Sequence, residues 1–129
     1  MAGPAVAASE LLTPDETGLL RRALLEWGGP ARCSDQLAVG MGFAGFQDLL
    51  DQSGRIRRAL ADDTPLTPAD WARTLLATEI VFVSDLAGTG FEWRTTTGLP
   101  DDATINALRS IQRKLGRTVR PFYATTPSD

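Results

Sequence analysis

The amino-acid sequence predicts an all-α, mostly helical protein: a compact bundle of four to five helices with a long Gly/Thr-rich loop and one short extended segment. Three observations carry this. Apolar residues recur at three- and four-residue steps in several windows, as on one face of a helix. Thr13-Pro14-Asp15-Glu16 and Thr67-Pro68-Ala69-Asp70 each supply a capping hydroxyl, a proline for the first helical position and an acid three residues after the cap. Strand-like alternation is confined to residues 91–97, which have no partner strand of similar quality.

At 129 residues and 13.9 kDa the chain is sized for one core. Residues 1–12 read as a flexible lead-in, 13–117 as a single helical domain and 118–129 as a C-terminal tail, tied down only if Phe122 and Tyr123 dock. The first helix runs from residue 14 to about 27, with Leu19, Leu20, Ala23, Leu24 and Trp27 on its inner face and Arg21, Arg22 and Glu26 mostly outside it. Gly28-Gly29-Pro30 stops it. Ser34 caps a short helix to about residue 39, after which glycines at 40, 42 and 45 make a loose or sharply turned stretch. A longer helix covers 46–60, with Ser53-Gly54 predicted to kink or divide it.

The helix from 68 to about 86 is the centre of the molecule in this reading, because Trp71, Leu75, Leu76, Ile80, Val81, Phe82, Val83 and Leu86 occupy nearly every face. A helix apolar all round is covered by neighbours. The rival reading makes Ile80-Val81-Phe82-Val83 a strand. A final helix opens at Pro100-Asp101-Asp102 and ends near Leu115, with Ile105, Leu108, Ile111 and Leu115 inward and Gly116 as the stop. Acids at its start and Arg109, Arg113 and Lys114 near its end suit the helix dipole.

Composition removes several function classes. The chain has no histidine, so its own residues form neither a Ser-His-Asp nor a Cys-His arrangement and no His-ligated metal site. Cys33 is its one cysteine and cannot close an intrachain disulfide or anchor a thiolate cluster. P-loop, dinucleotide and calcium-loop patterns are missing, so no cofactor and no metal is expected. Thirteen Lys and Arg against sixteen Asp and Glu give a net charge of −3, contrary to a broad phosphate-binding footprint. The first residues lack a cationic stretch followed by a long apolar run, so a cytoplasmic protein without a membrane anchor is expected, as a monomer or homodimer.

Four constellations remain. Leu37-Ala38, Gly42-Phe43 and Leu49 have a helix-turn-helix-like spacing within 37–60, followed by Arg55, Arg57 and Arg58. The second helix carries Gln47, Asp48 and Asp51, and the two carboxylates would repel phosphates, which favours plain helix packing around a glycine turn. Glu79, with Asp85 and Glu92, in or just after the most apolar segment, could carry carboxylate chemistry. Asp85 lies six residues after Glu79, about 600° around a helix, so the two form no local dyad. The simpler reading pairs Glu79 with an arginine such as Arg73, Arg94 or Arg109, or lets it face solvent through a gap in the packing. Glu92, Trp93 and Arg94 lie in the glycine-bounded loop 88–98, either as interface anchors or with Phe91 and Trp93 plugging the bundle. Charge is segregated along the chain, Asp48, Asp51, Asp62, Asp63, Asp70, Asp101 and Asp102 against Arg109, Arg113, Lys114, Arg117 and Arg120, either as a solvated face with dipole bias or as the means by which an acidic protein neutralises a basic partner.

The acidic turns Asp62-Asp63 and Asp101-Asp102, with the segment from Trp71 to Arg94, give the chain a general character that resembles the small acidic immunity proteins of bacterial polymorphic and contact-dependent toxin systems. That resemblance implies a non-enzymatic protein-binding module, an immunity or antitoxin-like inhibitor of a basic protein such as a toxin. The residues expected to meet the partner are Asp62, Asp63, Glu92, Trp93, Arg94, Asp101 and Asp102. The alternative is a small DNA-associated transcriptional regulator using residues 37–60; the acidic balance makes a nucleic-acid partner the weaker expectation.

Overall fold

Among the described residues, six helices and a 3₁₀ turn, Ala8–Glu10, follow one another along the chain. The computed structural model describes residues 3–29, 31, 33–84, 86–87 and 93–123. Helix α1 (Pro14–Glu26) starts as its sequence requires: Thr13 Oγ1 accepts from the Glu16 backbone N–H at 3.2 Å, and Glu16 Oε1 accepts from Thr13 N–H at 2.9 Å. Ser34 Oγ accepts from Leu37 N–H at 3.0 Å to open α2 (Asp35–Gly40). A turn containing Gly42, whose φ of 100° suits glycine, leads to α3 (Phe46–Asp62). Thr67 Oγ1 caps α4 (Pro68–Val83), accepting from Asp70 N–H at 3.1 Å. The short α5 (Trp93–Thr97) and the long α6 (Asp101–Tyr123) complete the bundle, and no strand occurs among the described residues.

Helix α4 lies at the centre, packed chiefly against α6 and α1, while α1 also packs on α3. Its apolar residues go inward on more than one side: Trp71, Ala72, Leu75, Ala77, Val81 and Phe82 are all buried. All three tryptophans are buried, and each indole N–H has an acceptor: Trp27 on Ala77 O at 3.3 Å, Trp71 on Val6 O at 3.0 Å and Trp93 on Thr104 Oγ1 at 2.9 Å. A buried indole left without an acceptor would lose part of what its burial contributes.

The all-α expectation holds, and the structure redraws several boundaries. Ile80–Val83 remain helical despite their β-branched content, because Val81 and Phe82 are buried among the neighbours of α4; the helix stops at Val83, where Ser84 turns extended, rather than at 86. Helix α3 is neither divided nor ended at Ser53-Gly54, since Leu49, Ser53, Ile56 and Leu60 form one buried row that holds the weak pair in register. Helix α6 passes Gly116 because Val119 continues the buried row of Thr104, Leu108, Ile111 and Leu115. Thr104 takes the inward place in the first turn, so Ile105, expected in the core, is 42% exposed. Glu26, expected outside the stripe, is buried.

The extended segment expected at 91–97 is helical from Trp93 onward, where the Thr97 hydroxyl donates to Trp93 O at 2.6 Å; residues 91 and 92 lie outside the described residues. The lead-in is docked: Val6 and Leu66 exchange backbone hydrogen bonds of 2.9 Å, and Ala8 and Leu12 join the core. A backbone bridge and an indole acceptor at Val6 are long-range pairings that local composition does not announce. The expected tail is helix as far as Tyr123, and residues 124–129 lie outside the described residues.

Trp93 sits edge-on to Phe82, ring centroids 5.2 Å apart at 73°, on top of its bond to Thr104. Trp93→Ala is therefore expected to lower the unfolding free energy by about 3–5 kcal/mol in chemical denaturation. A change within about 0.5 kcal/mol, as for a surface position, would contradict this placement.

Candidate functional site

The fold distributes the expected contact residues unequally. Asp62 is the exposed last residue of α3, and Asp101 and Asp102 are exposed in the first turn of α6. Asp62 and Asp101 make no ion pair or side-chain hydrogen bond among the described residues, while Asp102 Oδ1 accepts from the neighbouring Ala103 N–H at 2.8 Å. Arg94 is exposed on α5.

Two other residues are corrected. Trp93 is 0% exposed, so it is a core residue and offers no surface to a partner. Asp63, although exposed, is committed within the chain: its carboxylate accepts from Ser9 N–H at 2.9 Å and from Ser9 Oγ–H at 2.5 Å. Those bonds, the side-chain one first, hold the Asp63 carboxyl below its ordinary pKa. Asp63 also takes a left-handed φ of 57° to end α3, so both its backbone and its carboxylate serve the turn. Glu92 lies outside the described residues.

The acids that the fold takes inward are matched internally. Burial raises the pKa of Glu16, but bonds from Lys114 Nζ at 2.7 Å, Ser110 Oγ at 2.6 Å and the Thr13 backbone outweigh it and lower the value to about 2. Asp70 is also buried, which raises its pKa, yet both Arg55, at 2.7 Å, and Arg73 donate to its Oδ1 and the net shift is downward. Arg73 further donates to Gly42 O at 3.4 Å, and its guanidinium lies 5.2 Å from the centre of the Phe43 ring. This network joins α3, α4 and the α2–α3 turn. Sequence reasoning treated Asp70 as a helix-start acid; its three-residue spacing from Arg73 was a usable signal, whereas Arg55 fifteen residues away left none.

Glu79 meets none of the arginines named for it. Its Oε1 accepts from Tyr123 O–H at 2.6 Å and its Oε2 from Gln112 Nε2–H at 2.7 Å. Burial, and then the facing carboxylate, push the Tyr123 hydroxyl pKa above its ordinary value. Cys33 is half-buried, and burial likewise raises its thiol pKa, the opposite of what a reactive thiolate needs.

The 37–60 region forms a helix pair turning at Gly42, with Ala38, Phe43 and Leu49 packed inside. Asp35 Oδ1 accepts from Phe46 N–H at 2.8 Å and ties the two helix starts together. Of the arginines expected at DNA, Arg55 is held by Asp70 and Arg57 is half-buried, leaving Arg58 exposed.

Two of the open surface grooves lie against α6. One of 590 Å³ runs between α1 and α6 beside Gly18, Leu99, Ala103 and Ala107; another of 360 Å³ lies between the α2–α3 turn, α4 and the end of α6. Among the described residues no group of three or more Cys, Asp or Glu is placed to hold a metal ion, and no helix is long and apolar enough to cross a membrane. Comparisons with protein-family models, with curated proteins and with solved structures found no match to this chain.

Two of the internal carboxylates, Glu16 and Asp70, give stability a pH dependence with a defined sign. Because both pKa values are lowered on folding, each contribution is full above the unfolded carboxylate range and is lost as pH falls below it; for Glu16 the loss runs from near pH 4.5 down to about 2. Glu16→Gln is expected to lose about 1–2 kcal/mol at pH 7 and to flatten the stability profile between those limits, read by denaturant titration at each pH. A profile as steep as that of the parent protein would contradict the assignment.

Proposed function

We propose that the chain is a non-enzymatic protein-binding module, an immunity or antitoxin-like inhibitor, that meets a basic protein partner through the exposed carboxylates Asp62, Asp101 and Asp102, with Arg94 nearby in sequence. The observation that carries this reading is the division of its acids. Glu16, Asp70 and Glu79 are satisfied by donors within the fold, whereas Asp62 and Asp101 stand exposed without such partners among the described residues. Charge left unpaired on a surface costs little in water and steers an oppositely charged partner. The net charge of −3 favours a basic partner in the same sense. A cytoplasmic site of action belongs to the same proposal.

The DNA-regulator alternative draws less support, since Asp70 engages Arg55 and α3 carries Asp48 and Asp51. Duplex binding would need cations free to release counterions from phosphates.

The test is capture of a partner with the purified chain as bait at low and moderate salt, followed by affinity measurement. A basic protein bound at one-to-one stoichiometry is expected, with affinity reduced about tenfold or more in Asp62→Lys/Asp101→Lys/Asp102→Lys and with the helical signal kept. Undiminished affinity in that variant would remove the proposed surface, and capture of salt-sensitive nucleic acid in place of protein would overturn the reading.

A further inference from the structure

The end of α6 differs physically from the rest of the helix. Its core row ends at Val119, which is 4% exposed, and Arg120, Pro121, Phe122 and Tyr123 beyond it are all exposed. Pro121 lies inside the helix, so it has no N–H for the carbonyl one turn earlier, and its ring crowds that carbonyl. The last turn is thus weakly continued by its own backbone. What fastens it is a side chain: Tyr123 O–H donates to Glu79 Oε1 on α4 at 2.6 Å, and Gln112 holds the other oxygen of the same carboxylate at 2.7 Å.

This turn borders the 360 Å³ groove. Phe122 and Tyr123 line it together with the small residues Gly40, Gly42, Ala69 and Ala72, with Leu76 and with the Arg73 side chain. Phe122 is 50% exposed and Tyr123 41%, an unusual investment of aromatic surface for a turn that adds nothing to the core.

We propose that the last turn of α6 is a lid, hinged at Pro121 and latched by the Tyr123–Glu79 hydrogen bond, which controls access to the groove between the α2–α3 turn and α4. Opening breaks one side-chain hydrogen bond and leaves the buried row through Val119 in place. The free energy of opening is therefore far smaller than that of global unfolding. The lid is independent of the acidic surface, which lies on other helix ends.

Access is measured by thiol labelling of full-length Cys33→Ser/Ala72→Cys with a disulfide reagent, because Ala72 lines the groove and is 5% exposed in the latched state. Adding Tyr123→Phe is expected to speed labelling about fivefold, the weight of one hydrogen bond. Adding Pro121→Ala, which restores the backbone donor, is expected to slow it. Hydrogen exchange separates the lid from unfolding: Tyr123→Phe accelerates the amides of 120–123 and leaves those of 108–115 unchanged. An unaltered labelling rate in Tyr123→Phe, or equal acceleration of both segments, overturns the latch; an unaltered rate in Pro121→Ala overturns the hinge.

Discussion

The structure depends on covering α4. Its sequence places apolar side chains around most of its circumference, and no single neighbouring helix covers more than part of such a surface. Helices α1 and α6 take the two largest shares, and α3 a smaller one. The segment before α1 contributes as well, by pairing Val6 with Leu66 at the entry to α4 and accepting from Trp71. Each tryptophan joins apolar area to one directed hydrogen bond, so burial sets the stability and the indole donor sets the position.

Polar groups are arranged around that constraint. Two of the carboxylates drawn inward by the packing, Glu16 and Asp70, lie at the first turns of α1 and α4, and each of these is matched by a cation from another helix. Such pairs act chiefly by avoiding the cost of a buried, unmatched charge, and they fix where one helix sits on another. The acids at the end of α3 and the start of α6 have no such duty, apart from Asp63, which is held by Ser9. A division between internally satisfied and outward-facing carboxylates is what gives a protein without histidine a chemically distinct surface.

Much of the fold was legible because its signals are local. Both Thr-Pro helix starts, the Ser34 cap and the glycine turn at 42 act within four residues, and each occurs where the pattern places it. The central position of 68–83 was legible too, from its lack of a polar face. Helix ends were less so: Gly116 and Ser53-Gly54 are weak formers, and only the buried rows through Val119 and Leu60 decide that the helices continue. Long-range pairings were illegible. Glu16 with Lys114 spans 98 residues, Asp70 with Arg55 spans 15 and Val6 with Leu66 joins two segments read as loops. Trp93 was the ambiguous case, because an aromatic beside an arginine in a glycine-bounded stretch suits both a plug and an anchor. Thr104, eleven residues later, decides it by offering the acceptor its indole needs.

Tryptophan fluorescence tests this arrangement most directly, since Trp27, Trp71 and Trp93 are the chain's only indoles and all are placed in the core. Blue-shifted emission is expected, which a water-soluble quencher such as iodide scarcely reaches until the protein unfolds. A red-shifted component making up roughly one third of the emission and quenched in the native state would contradict this, because one of the three indoles would then stand in water and not in the core around α4.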